Sequence, residues 1–330
     1  MSNKNSLILA IIAVATLTTV CQDFFVKSGV SASSISPSNF SQTTSPLFDP
    51  NSYYRLTTNW QGECKSLDIV NDGNNNRPIL AKSGDFSGQH WKVSKAKFIT
   101  TPPVSLGLNS FYKRYLDADG IPVISSDRVP DAALYQVRFM TLQMLSKMPN
   151  VLIEMTRHGA RIAVMAKTEV TTDIPEHAFL RNDPKVDWNQ RARGLGGTIN
   201  VPTGSCAEEN VLCYDQDKYR GEDIFIHEFA HSVHKLGLVF VYPNFQNELD
   251  AAYSNAKSRM LWANTYAITN AEEYFAEGVQ DWFNVNLEAN PANGVHNYVN
   301  TRAELMAYDI TLYNLINKYF PEDGNKCTCH

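Results

Sequence analysis

Apolar and polar positions divide the chain into stretches of different kinds. Leu7 to Val20, "LILAIIAVATLTTV", form a mostly apolar run behind Lys4. Its length suits the core of a secretory signal and falls short of the roughly 20 residues that span a bilayer. Thr19 and Cys21 are small enough to flank a cleavage site, so residues 1–22 read as a signal peptide, with no stable membrane span after its removal; a membrane anchor is the bland alternative, and Val20 is larger than a lipid-modified Cys21 usually accepts before it. Residues 23–50, containing "SASSISPSNFSQTTSP", can bury little and read as a Ser/Thr/Pro-rich linker. Residues 51–97 change to short aromatic and β-branched runs, "YYRLTTNW", "CKSLDIV" and "HWKVSKA". The turn-rich "NDGNNNRP" and "KSGDFSGQ" part them, which is the pattern of a small all-β segment.

After the break at "KFITTPPVSLGLN", residues 108–330 read as one α/β (α+β) domain with a helical C-terminal part. "DAALYQVRFMTLQMLSKM" places apolar residues at helical spacing behind Pro130-Asp131. "NVLIEMT" and "ARIAVMA" read as buried strands with a turn at "RHG" between them. "GLGGTINVP" reads as a flexible or edge strand, whose Gly194, Gly196 and Gly197 let another backbone come close. Helical periodicity then covers 222–236, 246–262 and 270–286. Gly221 and Gly237 suit the two ends of the first of these helices.

Composition narrows the class. A chain of 330 residues has room for two domains, and 43% hydrophobic residues supply a sizeable core. Net charge is −5 with both signs interspersed, so the clustered basic face of a nucleic-acid binder is missing. Export makes disulfides admissible among Cys21, Cys64, Cys206, Cys213, Cys327 and Cys329. Loss of Cys21 with the signal leaves an odd number, so at least one thiol is unpaired or pairs between molecules. Cys206 and Cys213 close the short loop "CAEENVLC" and are the expected disulfide; the paired C-x-x-C arrangement of a zinc knuckle is absent.

The chemistry centres on "IHEFAH" at 226–231, in a chain with only 8 histidines. On a helix, residues i and i+4 share a face, so His227 and His231 can direct their imidazoles at one ion. Imidazole and carboxylate ligands suit a single Zn²⁺ with an open position for water, and Glu228 stands close enough to take that water's proton. The bland reading is a helix with two surface histidines. Its apolar neighbours Ile224, Phe225, Ile226, Phe229, Ala230 and Val233 argue against exposure. A further histidine at 237 behind a glycine at 234 would complete one known pattern, but the chain has His234 and Gly237. Downstream, "NAEEYFAEG" puts Glu273 and Glu277 on one helical face. One carboxylate can bind the metal while the other holds a ligand histidine, or these glutamates, with Glu272, are simply solvated.

"HEFAH" followed by "TNAEEYFAEG" resembles the gluzincin metallopeptidases, and within them the domain type of the anthrax lethal factor catalytic domain. The resemblance is specific over 224–281 and looser back to 151. It implies a zincin-like fold, His227, His231 and Glu273 as zinc ligands, Glu228 as catalytic base and Glu277 as a supporting acid. It also implies that Tyr266, in "ANTYAITN", stands near the zinc, where a phenol can donate to a developing oxyanion. Gluzincins bind the peptide as an added strand, for which Gly194, Gly196 and Gly197 mark a candidate edge. The 51–97 segment resembles a single ricin-type lectin repeat, with Gln89-His90-Trp91 in place of that family's Q-x-W. A complete trefoil needs about three such repeats, so Trp91 is as readily a core residue, and glycan binding is a secondary expectation.

These readings converge on a secreted zinc endopeptidase acting on a peptide or protein. Two alternatives stay open. One is a carbohydrate-binding or adhesion protein with an inactive zincin-like domain; the other is a toxin-like effector protease.

Overall fold

The computed structural model describes residues 65–70, 77–83, 89 and 97–322. The expected signal peptide, linker, Trp91, Cys64, Cys327 and Cys329 lie outside the described residues. The chain divides into two compact units, one of Leu7–Ala96 and one that holds Lys97–His330.

In the first unit, β1 (Lys65–Val70) and β2 (Arg77–Lys82) pair antiparallel, with Leu67 opposite Leu80. Gln89 is buried and donates from Nε2 to Asp68 Oδ2 at 3.0 Å and to the Lys82 carbonyl at 2.8 Å. Gln89, beyond the end of β2, thus ties β1 to β2.

The second unit contains a four-stranded mixed sheet in the order β3-β4-β5-β6. β3 (Arg114–Ala118) and β4 (Ile121–Ser125) form an antiparallel hairpin, and Thr100 upstream is already bridged to Tyr115. α1 (Asp131–Met144) buries Ala133, Leu134, Val137, Met140, Thr141 and Met144, the stripe expected of an amphipathic helix. α2 (Pro149–Arg157) occupies the stretch "NVLIEMT" that reads as a strand in the sequence. Pro149 pre-sets the first helical φ, and Val151 and Met155, four apart, bury one face while Ile153 points outward at 55% exposure. A run this short fits either period, and the tertiary need decided it. β5 (Arg161–Met165) lies parallel to β4, and a parallel neighbour requires a crossover, here α1 and α2.

β6 (Thr203–Ala207) is parallel to β5. The crossover between them is irregular: 3₁₀ turns at Thr171–Asp173 and Pro175–Asn182, then the four-residue α3 (Trp188–Arg191). After it, Leu195 makes an antiparallel bridge to Ser205 on the outer side of β6.

α4 (Glu208–Val211) follows β6 directly. Cys206 is a free thiol in the hydrophobic core, so the expected Cys206–Cys213 disulfide does not form. α4 turns the chain between them, leaving Cys206 buried and Cys213 beside Lys167 and Tyr214 at a surface pocket. Cys213 is disulfide-bonded.

The C-terminal part is helical. α5 (Ile224–Val233) continues through a π-helical turn at His234–Leu238 into α6 (Val239–Val241). Gly237 therefore lies inside the helix and does not end it. A Cβ there would stand 2.5 Å from Val151 Cγ1 and 3.0 Å from Met155 Cγ, so the glycine admits α2. α7 (Phe245–Ser258) stops earlier than its periodicity suggests, because Met260, Trp262 and Asn264 all take positive φ. α8 (Ala271–Phe283), α9 (Arg302–Tyr308) and α10 (Ile310–Asn317) complete the unit. Tyr274, Phe275 and Trp282 of α8 are fully buried, each contributing about 1.5–3 kcal/mol of burial. Buried Asp309 accepts from Tyr274 Oη at 2.7 Å and Trp262 Nε1 at 3.0 Å while capping α10 through Leu312 N.

Candidate metal centre

Two capped helices place the polar groups of the centre. Asp223 accepts from Ile226 N at 3.0 Å and starts α5 so that His227 and His231 face α8. Asn270 accepts from Glu273 N at 2.9 Å, fixing Glu273 in the first turn of α8. Glu273, Glu277 and Gln280 then follow at i, i+4 and i+7 on the face turned toward α5. Burial of Phe225, Phe229, Ala230 and Val233 on α5 and of Phe275, Ala276 and Val279 on α8 holds the two helices together.

The result is a triangle of ligand atoms. Glu273 Oε2 lies 3.0 Å from His227 Nε2 and 3.1 Å from His231 Nε2, and the two Nε2 atoms are 3.2 Å apart. These residues form the one group of three or more His, Cys, Asp or Glu able to hold a metal among the described residues. Tetrahedral bonds of about 2.0 Å separate ligand atoms by about 3.3 Å, so the spacing fits one small divalent cation.

The hydrogen bonds behind the triangle fit the same reading. Gln280 donates from Nε2 to the Asp223 carbonyl at 3.1 Å, which turns its Oε1 toward His227 Nδ1 at 2.9 Å. An oxygen there requires Nδ1 to carry the proton, and in a neutral ring Nε2 then aims a lone pair into the triangle. A lone pair facing a carboxylate oxygen and a second imidazole calls for positive charge. Burial pushes the His227 imidazole down, but the bond to Glu273 and the charges of Glu228 and Glu277 outweigh it and carry it up to about 10. Burial likewise raises the Glu273 carboxyl, yet its bonds to His227 and His231 leave it well below the usual carboxylate range. Either a proton on His227 or a metal ion answers this demand.

Glu277 stands behind His227, its Oε1 3.4 Å from Nδ1, while its Oε2 accepts from Asn286 at 3.2 Å. The supporting bond expected from Glu277 is thus made by Gln280, with Glu277 next to it. Gln280 was legible as the next residue on the face of Glu273 and Glu277. His234 lies away from the triangle, bonded to Gln246 Oε1 at 2.8 Å.

A cavity of about 410 Å³ opens onto the triangle. Glu228 lines it, half-buried, and its carboxylate makes no hydrogen bond among the described residues. Tyr266 lines it too, with its ring 6.2 Å from that of His227 and its backbone N–H bonded to Val295 O at 2.8 Å. Burial pushes the Tyr266 hydroxyl up to about 12, with Glu273 adding to the rise. The opposite wall is the 188–197 segment. Leu195 spends its N–H and C=O on Ser205, so the flanking Gly194 and Gly196 present theirs away from β6. Gly197 donates to Ser232 Oγ at 2.8 Å. A Cβ on Gly196 would lie 2.5 Å from His231 Cβ; the glycines admit α5 as the close neighbour. Arg193 holds this wall, donating to Glu209 at 2.6 and 3.0 Å and to the carbonyls of Glu169 and Ala166. Neither Arg191 nor Arg193 stands out in the sequence.

No protein-family profile and no curated protein matches the chain. Among solved structures, it is similar to the Pro-Pro endopeptidase PPEP-2 from Paenibacillus alvei. The identity is 16%, over 59% of this chain and 96% of that one, with a TM-score of 0.39. The chemistry is therefore read from this chain's own side chains.

Proposed function

We propose that this chain is an exported zinc-dependent endopeptidase of the gluzincin kind. The observation that carries this reading is the convergence of His227 Nε2, His231 Nε2 and Glu273 Oε2 within 3.0–3.2 Å, at the floor of a cleft lined by Glu228 and Tyr266. His227, His231 and Glu273 would hold the ion. When bound, zinc supplies a Lewis acid that polarises a peptide carbonyl and acidifies water. Glu228 acts as general base: its unpaired carboxylate takes a proton from the attacking water and later delivers it to the departing amide nitrogen. The Tyr266 hydroxyl, kept protonated by burial, donates to the oxyanion as the carbonyl becomes tetrahedral. Gln280 and Glu277 keep the His227 proton on Nδ1. The backbone of Gly194 and Gly196 offers an edge on which an extended peptide can pair. No helix among the described residues is long and apolar enough to cross a membrane.

Metal analysis of the purified chain, paired with a peptide-library digest in the presence and absence of a chelator, tests the proposal. One zinc per chain and cleavage that stops with chelator and returns with zinc are expected. A chain that binds no zinc, or that cleaves as well with chelator as without, would refute it.

A further inference from the structure

Tyr266 has a partner that neither the motif nor the resemblance points to. Arg191 Nη2 donates to the Tyr266 hydroxyl at 3.3 Å, across 75 residues of sequence. A guanidinium has only donors, so the phenol oxygen must be the acceptor. A lone pair of that oxygen is then turned toward Arg191, and its single proton must point elsewhere. Glu273 lines the same cavity and acts on the same phenol. The bond therefore turns the Tyr266 proton away from Arg191 and leaves it free to donate within the cleft.

The placement of Arg191 is built. Asp187 caps α3 by accepting from the N–H groups of Asn189 and Gln190. Tyr219 Oη donates to the Arg191 carbonyl, and Lys218 Nζ to the Gln190 carbonyl. The next two residues are tied as well, Ala192 by Thr171 and Arg193 by Glu209. The backbone is thus fixed on both sides, while the guanidinium makes no ion pair among the described residues. Its neighbour Arg193 is committed to Glu209 and to the carbonyls of Glu169 and Ala166, and Lys235 across the cleft is paired with Glu272. The Arg191 guanidinium is exposed and the bond 3.3 Å long, so its effect on the phenol is to orient it.

Resting on the peptidase reading above, we infer that Arg191 is a positioning residue: it orients the Tyr266 donor during peptide-bond hydrolysis. The test uses the full-length, zinc-loaded chain and a peptide taken from the library digest. Wild type is compared with R191M, Y266F, the double variant and R191K. R191M is expected to lower kcat about tenfold with KM within about twofold, a part of the roughly hundredfold loss that removing an oxyanion donor causes. In the Y266F background the same change should cost less than about twofold, because the two residues act as one. R191K keeps an N–H donor and should recover most of the rate. An equal loss in both backgrounds, or an effect on KM alone, would overturn the inference.

A second measurement does not need catalysis. In the zinc-free chain with ¹³Cζ-labelled tyrosine, R191M should displace the resonance that Y266F removes and no other. An unmoved signal would overturn the Arg191–Tyr266 bond. If wild type cleaves no peptide at all, it is the peptidase reading that fails, and the resonance still decides the bond.

Discussion

The two sides of the cleft are built by different means. The floor consists of α5 and α8, where polar groups recur every three or four residues and each helix carries its own cap. The 188–197 wall has one four-residue helix and a single bridge to β6. It is held by side chains that reach across the fold: Arg193 to Glu209, Tyr219 to Arg191, Thr171 to Ala192. Regular structure supplies position through backbone geometry alone, whereas an irregular wall needs a partner for nearly every residue it fixes. The floor is therefore suited to holding an ion with fixed ligand spacing, and the wall to presenting groups to a substrate.

Substitutions on the two sides should separate zinc binding from peptide turnover. The largest effects belong to the floor. Glu273→Ala should reduce zinc content to background, read by metal analysis, and unchanged occupancy would remove Glu273 from the ligand set. Glu228→Gln should keep zinc yet lower kcat by about 10²–10⁴-fold, the range of general-base catalysis. On the wall, Glu209→Ala leaves Arg193 buried without its carboxylate and should cost about 3 kcal/mol in urea denaturation. Its zinc affinity should stay near that of the native chain; a parallel fall would mean that wall and floor are one mechanical unit. Gln280→Leu removes the acceptor on His227 Nδ1 and should weaken zinc binding about 10–100-fold in a competition titration.

The smallest effect concerns the cap of α5. Burial pushes the Asp223 carboxyl up to about 6, and its bonds to the N–H groups of Ile226 and Phe225 offset only part of that rise. Between about pH 4 and 6 the folded chain then holds a proton that the unfolded chain has released, so stability falls as pH rises through this window. Asp223→Asn keeps a capping oxygen and does not titrate. Relative to the native zinc-free chain it should gain roughly 1–2 kcal/mol across that window and nothing more above it, read from thermal melts. A gap independent of pH would exclude Asp223 as the cause.

The contrast between floor and wall also explains what could be read in advance. His227, His231, Glu273 and Glu277 were legible because helical period translates sequence spacing directly into a shared face. The same logic, carried one turn further, reaches Gln280. It failed at "NVLIEMT", where seven residues fit a strand or a helix equally well and the parallel pairing of β4 and β5 demanded the helix. It failed at Gly237 too, where a glycine that resembles a helix stop is a contact point for α2. The Cys206–Cys213 pairing looked favourable by loop length, but loop length does not show that one thiol faces the core.

Sequence alone determined the shared face of His227 and His231 on α5, the shared face of Glu273 and Glu277 on α8 and the candidate base Glu228. Each is set within a few turns of one helix by backbone hydrogen bonds and apolar period. Only the tertiary structure decided that Glu273 reaches both imidazoles, that Gln280 fixes the His227 proton, and that Arg191 meets Tyr266. Those contacts join residues 42 to 75 positions apart. Over such separations the packing of the whole domain, and no local preference, sets which side chains meet.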